Sequence, residues 1–263
     1  MLSYQHGFHA GNRADVLKHS VLHALLTDMS RTGGPYLYVE THSGRGRYDL
    51  EGQQARKGNE AASGILSMMG KRGPRPLHAW TEFVEQCGIR RYPGSPAHAQ
   101  SLLPRDTRYV LFEKHPAEFD SLSATFKSDD RFQIRKSDGY AGALKLAPRH
   151  DEHLICFVDP SYETERDIDA LAEWAPRALK RWQNTTLILW LPLFRDGREL
   201  DFGEYLTTLG EGFVAGARWP VDPLHETALE GSAMVVYSAN QAIADKCIAI
   251  ASSLQSWWSD KPL

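Results

Sequence analysis

Short apolar runs alternate along the chain with longer stretches of helical periodicity. Strand-like runs stand at YLYVETH (36–42), YVLFEKH (109–115), FQIRKSD (132–138), LICFVDP (154–160), TTLILWLPL (185–193), FVAGARWPV (213–221) and AMVVYS (233–238). Two of them, around LICFVD and LILWL, are almost unbroken in apolarity, the pattern of strands covered on both faces in a parallel sheet between helices. Residues 13–30, 116–127, 165–182 and 242–258 carry helical spacing, and in the first Val16, Leu17, Val21, Leu25 and Leu26 make one apolar stripe. Strand and helix in alternation predict an open α/β sheet of seven mostly parallel strands with helices on both faces. The interval 45–92 breaks the alternation. It is rich in Gly, Pro and Arg, with one helical piece near 76–87, and reads as an insertion. The expected organisation is a single domain over 1–263 with a small helical insertion at about 50–92.

Open α/β sheets bind ligands at the carboxyl ends of their strands, near the point where strand order reverses. The residues closing each strand are therefore the candidates for chemistry. The first strand runs into Glu40-Thr41-His42-Ser43-Gly44-Arg45-Gly46. A Gly-x-Gly turn lets a backbone approach a ligand closely, but it is equally a tight strand-to-helix turn. The dinucleotide version is incomplete, since the third glycine position holds Asp49. Glu113 closes the second strand, either as an acceptor for ribose hydroxyls or as a surface or capping residue. Asp138-Gly139 closes the third, where Asp-Gly is also a common turn or helix cap. Asp159-Pro160-Ser161-Tyr162 closes the fourth, and here the functional reading is the stronger one. A carboxylate and a backbone carbonyl can accept the hydrogens of an exocyclic amine while an aromatic ring stacks on the base.

Composition narrows the class. With 42% hydrophobic and 24% charged residues, the 263-residue chain is neither collagen, coiled coil nor wholly disordered. No run approaches the ~18–20 apolar residues of a membrane span, and the polar lead-in has no signal-peptide core. Three scattered cysteines (Cys87, Cys156, Cys247) without a CxxC pair predict a cytoplasmic protein with neither a disulfide framework nor a cysteine zinc site. His19 and His23 share helical spacing but lack a third ligand, so no metal is expected. The net charge of −3 leaves a nucleic-acid partner to a local patch. Residues 45–91 supply one: they sum to +4 against −7 for the remainder, and Lys71, Arg72 and Arg75 are candidates for phosphate contact. No apolar helix seam calls for a second copy, so a monomer is expected. P-loop, GxSxG and zinc-deaminase patterns are absent.

Taken in order, these segments resemble the RlmJ-type methyltransferases, which act on 23S ribosomal RNA at an adenine-N(6) position. The resemblance begins in Tyr4-Gln5-His6-Gly7-Phe8-His9-Ala10-Gly11-Asn12-Arg13-Ala14-Asp15-Val16-Leu17-Lys18-His19. It continues through Thr41 to Tyr48, Tyr92-Pro93-Gly94-Ser95-Pro96 and Glu113-Lys114-His115-Pro116, and ends in Asp138-Gly139 and Asp159-Pro160-Ser161-Tyr162. It implies a Rossmann-like class I methyltransferase fold using S-adenosylmethionine, with 23S ribosomal RNA, protein-free or early in assembly, as partner. It also implies that His19, His42, Ser95, Glu113, Asp138, Gly139 and Asp159 contact the donor. Asp159 would be the catalytic proton acceptor, and Tyr4, Pro160 and Tyr162 would meet the substrate. The family's tetrapeptide is Asp-Pro-Pro-Tyr; Ser161 here restores an N–H and loosens the backbone, while the Pro160 carbonyl is kept. Two rival readings share this chemistry: a DNA adenine methyltransferase, and a non-catalytic nucleic-acid-binding protein of the same fold linked to DNA utilisation.

Overall fold

The computed structural model describes residues 5–162, 165–221 and 229–260. In chain order the elements are α1 (Arg13–Thr32), β1 (Tyr36–Glu40), β2 (Arg47–Tyr48), α2 (Gln53–Gly58), α3 (His78–Cys87), β3 (Tyr92–Pro93), α4 (Ser95–Leu102), β4 (Arg108–Phe112), α5 (Pro116–Phe126) and β5 (Phe132–Arg135). They continue with α6 (Gly139–Ala143), β6 (His153–Val158), α7 (Glu165–Arg181), β7 (Thr185–Phe194), α8 (Leu200–Thr208), β8 (Gly212–Arg218), β9 (Leu229–Tyr237) and α9 (Gln241–Ser259). All seven strand-like runs and all four long helical stretches of the sequence become elements of the same kind.

The sheet runs β5-β4-β1-β6-β7-β9-β8. Pairing is parallel from β5 through to β7, and β9 alone runs against its two neighbours. Alternate residues of the central strands feed two apolar layers, because successive strand side chains point to opposite faces. Tyr36, Tyr38, Ile155 and Phe157 join the layer shared with α1, α3, α4 and α9. Leu37, Val39, Leu154, Cys156 and Val158 join the layer shared with α6, α7 and α8. This accounts for the unbroken apolarity of LICFVD: both faces are covered. The edge strand β5 instead alternates between partly buried and exposed positions, and β8, at the other edge, sets Ala215 and Ala217 inward between more exposed neighbours.

Order reverses beside β1. From there the chain passes to β4 and β5 on one side, then returns to β6 on the other. The crevice between β1 and β6, at their carboxyl ends, is the switch point where such sheets bind ligands. Four short helices, α2, α4, α6 and α8, escape the sequence pattern, being too brief to show helical periodicity. They carry other marks. Pro96 lies in the first turn of α4, and the Asp138 carboxylate accepts the Ala141 N–H (2.9 Å) to cap α6. Among the described residues no helix is long and apolar enough to cross a membrane.

Candidate functional site

A cleft of about 370 Å³ opens over the carboxyl ends of β1, β4 and β6. Of the residues singled out from sequence, His19, His42, Ser95 and Glu113 line it, as do Asp138, Gly139, Asp159 and Pro160. Tyr162 does not: it lines an adjoining cavity of about 310 Å³. Tyr4 lies outside the described residues.

The floor is the turn after β1. Gly44 and Gly46 adopt φ of +57° and +78°, a left-handed backbone that side chains with a Cβ resist. The Gly44 N–H donates to Glu113 Oε2 (2.8 Å), and the His115 N–H donates to Glu113 Oε1 (2.7 Å). Burial pushes the Glu113 carboxyl up while these backbone donors pull it down. Glu113 is thus fastened to the glycine turn and still faces the cleft. Gly139 is held to glycine for another reason. A Cβ there would stand 2.0 Å from the Thr41 carbonyl oxygen. The start of α6 therefore lies directly on the end of β1, and Asp138 reaches the cleft from that position.

Two wall histidines are neutral at ordinary pH. Burial lowers His19 to about 3, and its Nδ1 pairs with the Tyr92 hydroxyl at 2.9 Å. Burial lowers His42 to about 4, and its Nδ1 lies 2.9 Å from Thr41 Oγ1. Ser95, at the start of α4, donates its hydroxyl to Glu40 Oε2 (2.9 Å), and Tyr38 donates to Glu40 Oε1 (2.6 Å). Burial pushes the Glu40 carboxyl well above the carboxylate range. Ser43, also on the wall, keeps a buried hydroxyl with no hydrogen-bond partner among the described residues.

Asp159 leaves β6 with its side chain 16% exposed and accepts a 2.6 Å bond from Lys18 Nζ. Lys18 also stands 3.2 Å from Asp15 Oδ1 and 4.8 Å from the centre of the Trp190 ring. Asp15 takes the Gly11 N–H (2.8 Å) and lies 2.9 Å from His6 Nε2. Burial pushes Asp159 up, and Lys18 opposes that. For Asp15 the balance reverses: burial is outweighed by His6 and Lys18, which hold the carboxyl well below its usual range. Burial would strip Lys18 of its proton, yet Asp159 and Asp15 outweigh burial and keep the ammonium charged. Sequence reasoning gave Lys18, Asp15 and Glu40 no role. The legible signal for Lys18 was a lysine set into the apolar stripe of α1, three residues after an acid.

Tyr162 adopts φ +50°, uncommon for a residue with a Cβ, and its hydroxyl donates to the Trp190 carbonyl (2.7 Å). Its ring meets Trp190 edge-on at 5.5 Å. The two cavities meet at His6, Lys18, Ser161 and Trp190. Because the hydroxyl anchors the strained turn, Tyr162→Phe is expected to lower unfolding stability by about 1 kcal/mol in urea denaturation. From sequence, with the ring stacking on the base, the same change is expected to be mild for turnover.

Several bases of the 45–91 patch are engaged within the chain. Arg45 pairs with Glu118, Arg90 with Glu51, and Lys71 with Glu82 (3.7 Å). Arg72 donates to the carbonyls of Met69 (2.6 Å) and Leu66 (2.8 Å). The pairs involving Lys71 and Arg90 are solvent-exposed and contribute little to stability.

A family model described as "Ribosomal RNA large subunit methyltransferase D, RlmJ" matches residues 33–261. Ribosomal RNA large subunit methyltransferase J of Escherichia coli (strain K12) is 34% identical to the chain over 198 residues, covering 73% of this chain and 71% of the relative. The protein of the same name from Haemophilus influenzae is 31% identical over 199 residues, with the same two coverages of 73% and 71%. A solved protein of Legionella pneumophila str. Philadelphia 1 superposes with a TM-score of 0.82, covering 95% of this chain and 94% of that one, at 24% identity. That likeness shows the fold.

Proposed function

Since the chain belongs to the RlmJ family of ribosomal RNA large subunit methyltransferases, we propose that it methylates the exocyclic amine, N6, of an adenine in 23S ribosomal RNA. S-adenosylmethionine is the methyl donor and supplies an electrophilic methyl carbon on a sulfonium sulfur. The main cleft fits such a group. The Ser43 hydroxyl on its wall lacks a partner among the described residues, and Glu113 and Asp138 offer acceptors for hydroxyl and amine donors.

The observation that supports the reading is the meeting of Asp159 and Pro160 with this cleft beside a second, aromatic cavity. An adenine amine is a poor nucleophile because its lone pair is delocalised into the ring. Accepting its hydrogens at Asp159 and at the Pro160 carbonyl localises that pair toward the methyl carbon. Lys18 engages Oδ2 of Asp159, so Oδ1 is the atom offered to the amine. The remaining task is alignment, which proximity supplies. The second cavity, walled by Tyr162, Trp190 and Phe194, takes the base, and the base must first leave its stack.

The test is incubation with labelled donor and, in parallel, protein-free large-subunit RNA, assembled large subunits and duplex DNA. Label recovered as N6-methyladenine in RNA is the expected result. Label in DNA alone would move the reading to the DNA rival. Donor binding with no label in any polymer would move it to the non-catalytic one.

Residues 50–92 are the proposed RNA grip within a single catalytic domain. Lys71→Glu with Arg75→Glu spares Arg72 and its carbonyl contacts. The double variant is expected to weaken RNA binding and to flatten the log–log salt slope by about 0.7 for each phosphate that is no longer neutralised, read by filter binding across a salt series.

A further inference from the structure

Behind the Gly94-Ser95 wall of the cleft lies a buried ring cluster that the reaction does not use. Trp80, on α3, is 2% exposed, and His98, on α4, is fully buried. Trp80 Nε1–H donates to His98 Nε2 (3.0 Å), and His98 Nδ1 lies 2.9 Å from the Gly94 carbonyl oxygen. Burial holds His98 well below the usual histidine range, so its ring is neutral and carries a single N–H. With Nε2 accepting from Trp80, the proton belongs on Nδ1, where it can donate to Gly94.

Gly94 is joined to the rest of the cleft. Its N–H donates to the Gly46 carbonyl (3.0 Å) on the turn after β1. The next residue, Ser95, bonds to Glu40. His98 also packs its ring 5.0 Å from His19, which lines the cleft from α1. One neutral ring thus touches two walls and, through Gly94, connects to the glycine turn.

We propose that Trp80 and His98 are positioning residues for the methyl-donor cleft, with Trp80 selecting the His98 tautomer that fixes the Gly94-Ser95 turn. The inference rests on the donor reading above. It makes donor affinity depend on a hydrogen bond from α3, an element that never reaches the cleft.

Trp80→Phe keeps the ring and removes only the N–H. S-adenosylhomocysteine, the demethylated donor, is the probe, with binding followed by calorimetry. The expected result is about tenfold weaker binding, as for the loss of one buried hydrogen bond, with a rise of the Nε2–H tautomer of His98 in ¹⁵N spectra. His98→Leu should weaken binding to a similar degree. His98→Asn places an amide N–H where Nδ1 stands and should stay within about threefold of the wild type. Unchanged affinity in Trp80→Phe would overturn the proposal, even with a lowered Tm, because a purely structural role moves Tm alone. Weaker binding with an unchanged tautomer would overturn it as well. If Trp80→Phe fails to fold, the comparison of His98→Asn with His98→Leu decides: equal losses overturn the relay. Should the wild-type protein itself bind no S-adenosylhomocysteine, the donor reading falls and takes the relay with it. Wild-type affinity retained by Trp80→Phe removes the relay alone.

Discussion

Asp159→Asn is expected to fold as the parent does and to transfer methyl groups about 10³-fold more slowly, in the range that general-base residues contribute. The substitution keeps shape and one acceptor oxygen but replaces the other oxygen with an amide that donates. Facing an adenine amine, that group repels where the carboxylate attracted. Folding survives because the neighbours of Asp159 remain satisfied: Lys18 keeps Asp15 as its ionic partner at 3.2 Å. The partly buried charge that is removed was costly to hold in the first place. Single-turnover methylation of RNA, with circular dichroism and donor binding as controls, checks it. A folded, donor-binding Asp159→Asn protein that methylates at the parental rate would remove Asp159 from the reaction.

How far the fold was legible follows from where periodicity is strong. β1, β6 and β7 announced themselves because both faces are buried, which demands apolar residues at every position rather than every second one. α1 and α9 announced themselves through length. α6 did not, since five residues cannot complete a stripe. Its position is written instead in Asp138 and Gly139, one as cap and the other as the residue small enough to sit on the Thr41 carbonyl. A capping pair and a ligand-facing pair look identical in sequence. Here Asp138-Gly139 caps α6 and lines the cleft at once, so the two readings of the motif do not compete.

The candidate site was legible where one residue closes one strand, and illegible where function lies in a pairing between distant elements. Asp159, Glu113 and Asp138 each follow a strand, and the sheet brings their ends together. Glu113 illustrates the limit. Its place in the sequence suggested a ligand or a surface, whereas both its oxygens hold backbone N–H groups that shape the turn. Lys18 and Asp159 lie 141 positions apart, and only the docking of α1 over the carboxyl end of β6 makes them partners. Glu40 looked like the last residue of a strand. Its significance depends on Ser95 arriving from beyond the insertion.

Lys18→Met tests that distant pairing and carries the largest expected effect on stability. The ammonium lies between two carboxylates, with side-chain exposures of 4% for Lys18, 1% for Asp15 and 16% for Asp159. Replacing it with an apolar chain of similar length preserves packing and leaves both acids without their shared cation. Removing one partner from a buried ionic cluster typically costs about 3–5 kcal/mol, and a loss of that order at neutral pH is expected in urea denaturation. Asp159 is already pushed up by burial with Lys18 present, so without the ammonium its carboxyl will hold a proton more readily. Such a raised group favours the folded state more as pH falls from neutrality toward the usual carboxylate range, because the folded protein then binds a proton that the unfolded chain does not. The stability gap between Lys18→Met and the parent should therefore narrow between pH 8 and pH 5. Adding Asp159→Asn to Lys18→Met removes the stranded carboxylate outright. The double variant should be more stable at neutral pH than Lys18→Met alone, a coupling that a double-mutant cycle reads directly. A gap that stays constant with pH, together with strictly additive losses in the cycle, would mean that Lys18 contributes packing and that the charge pairing at the head of β6 does not hold the site together.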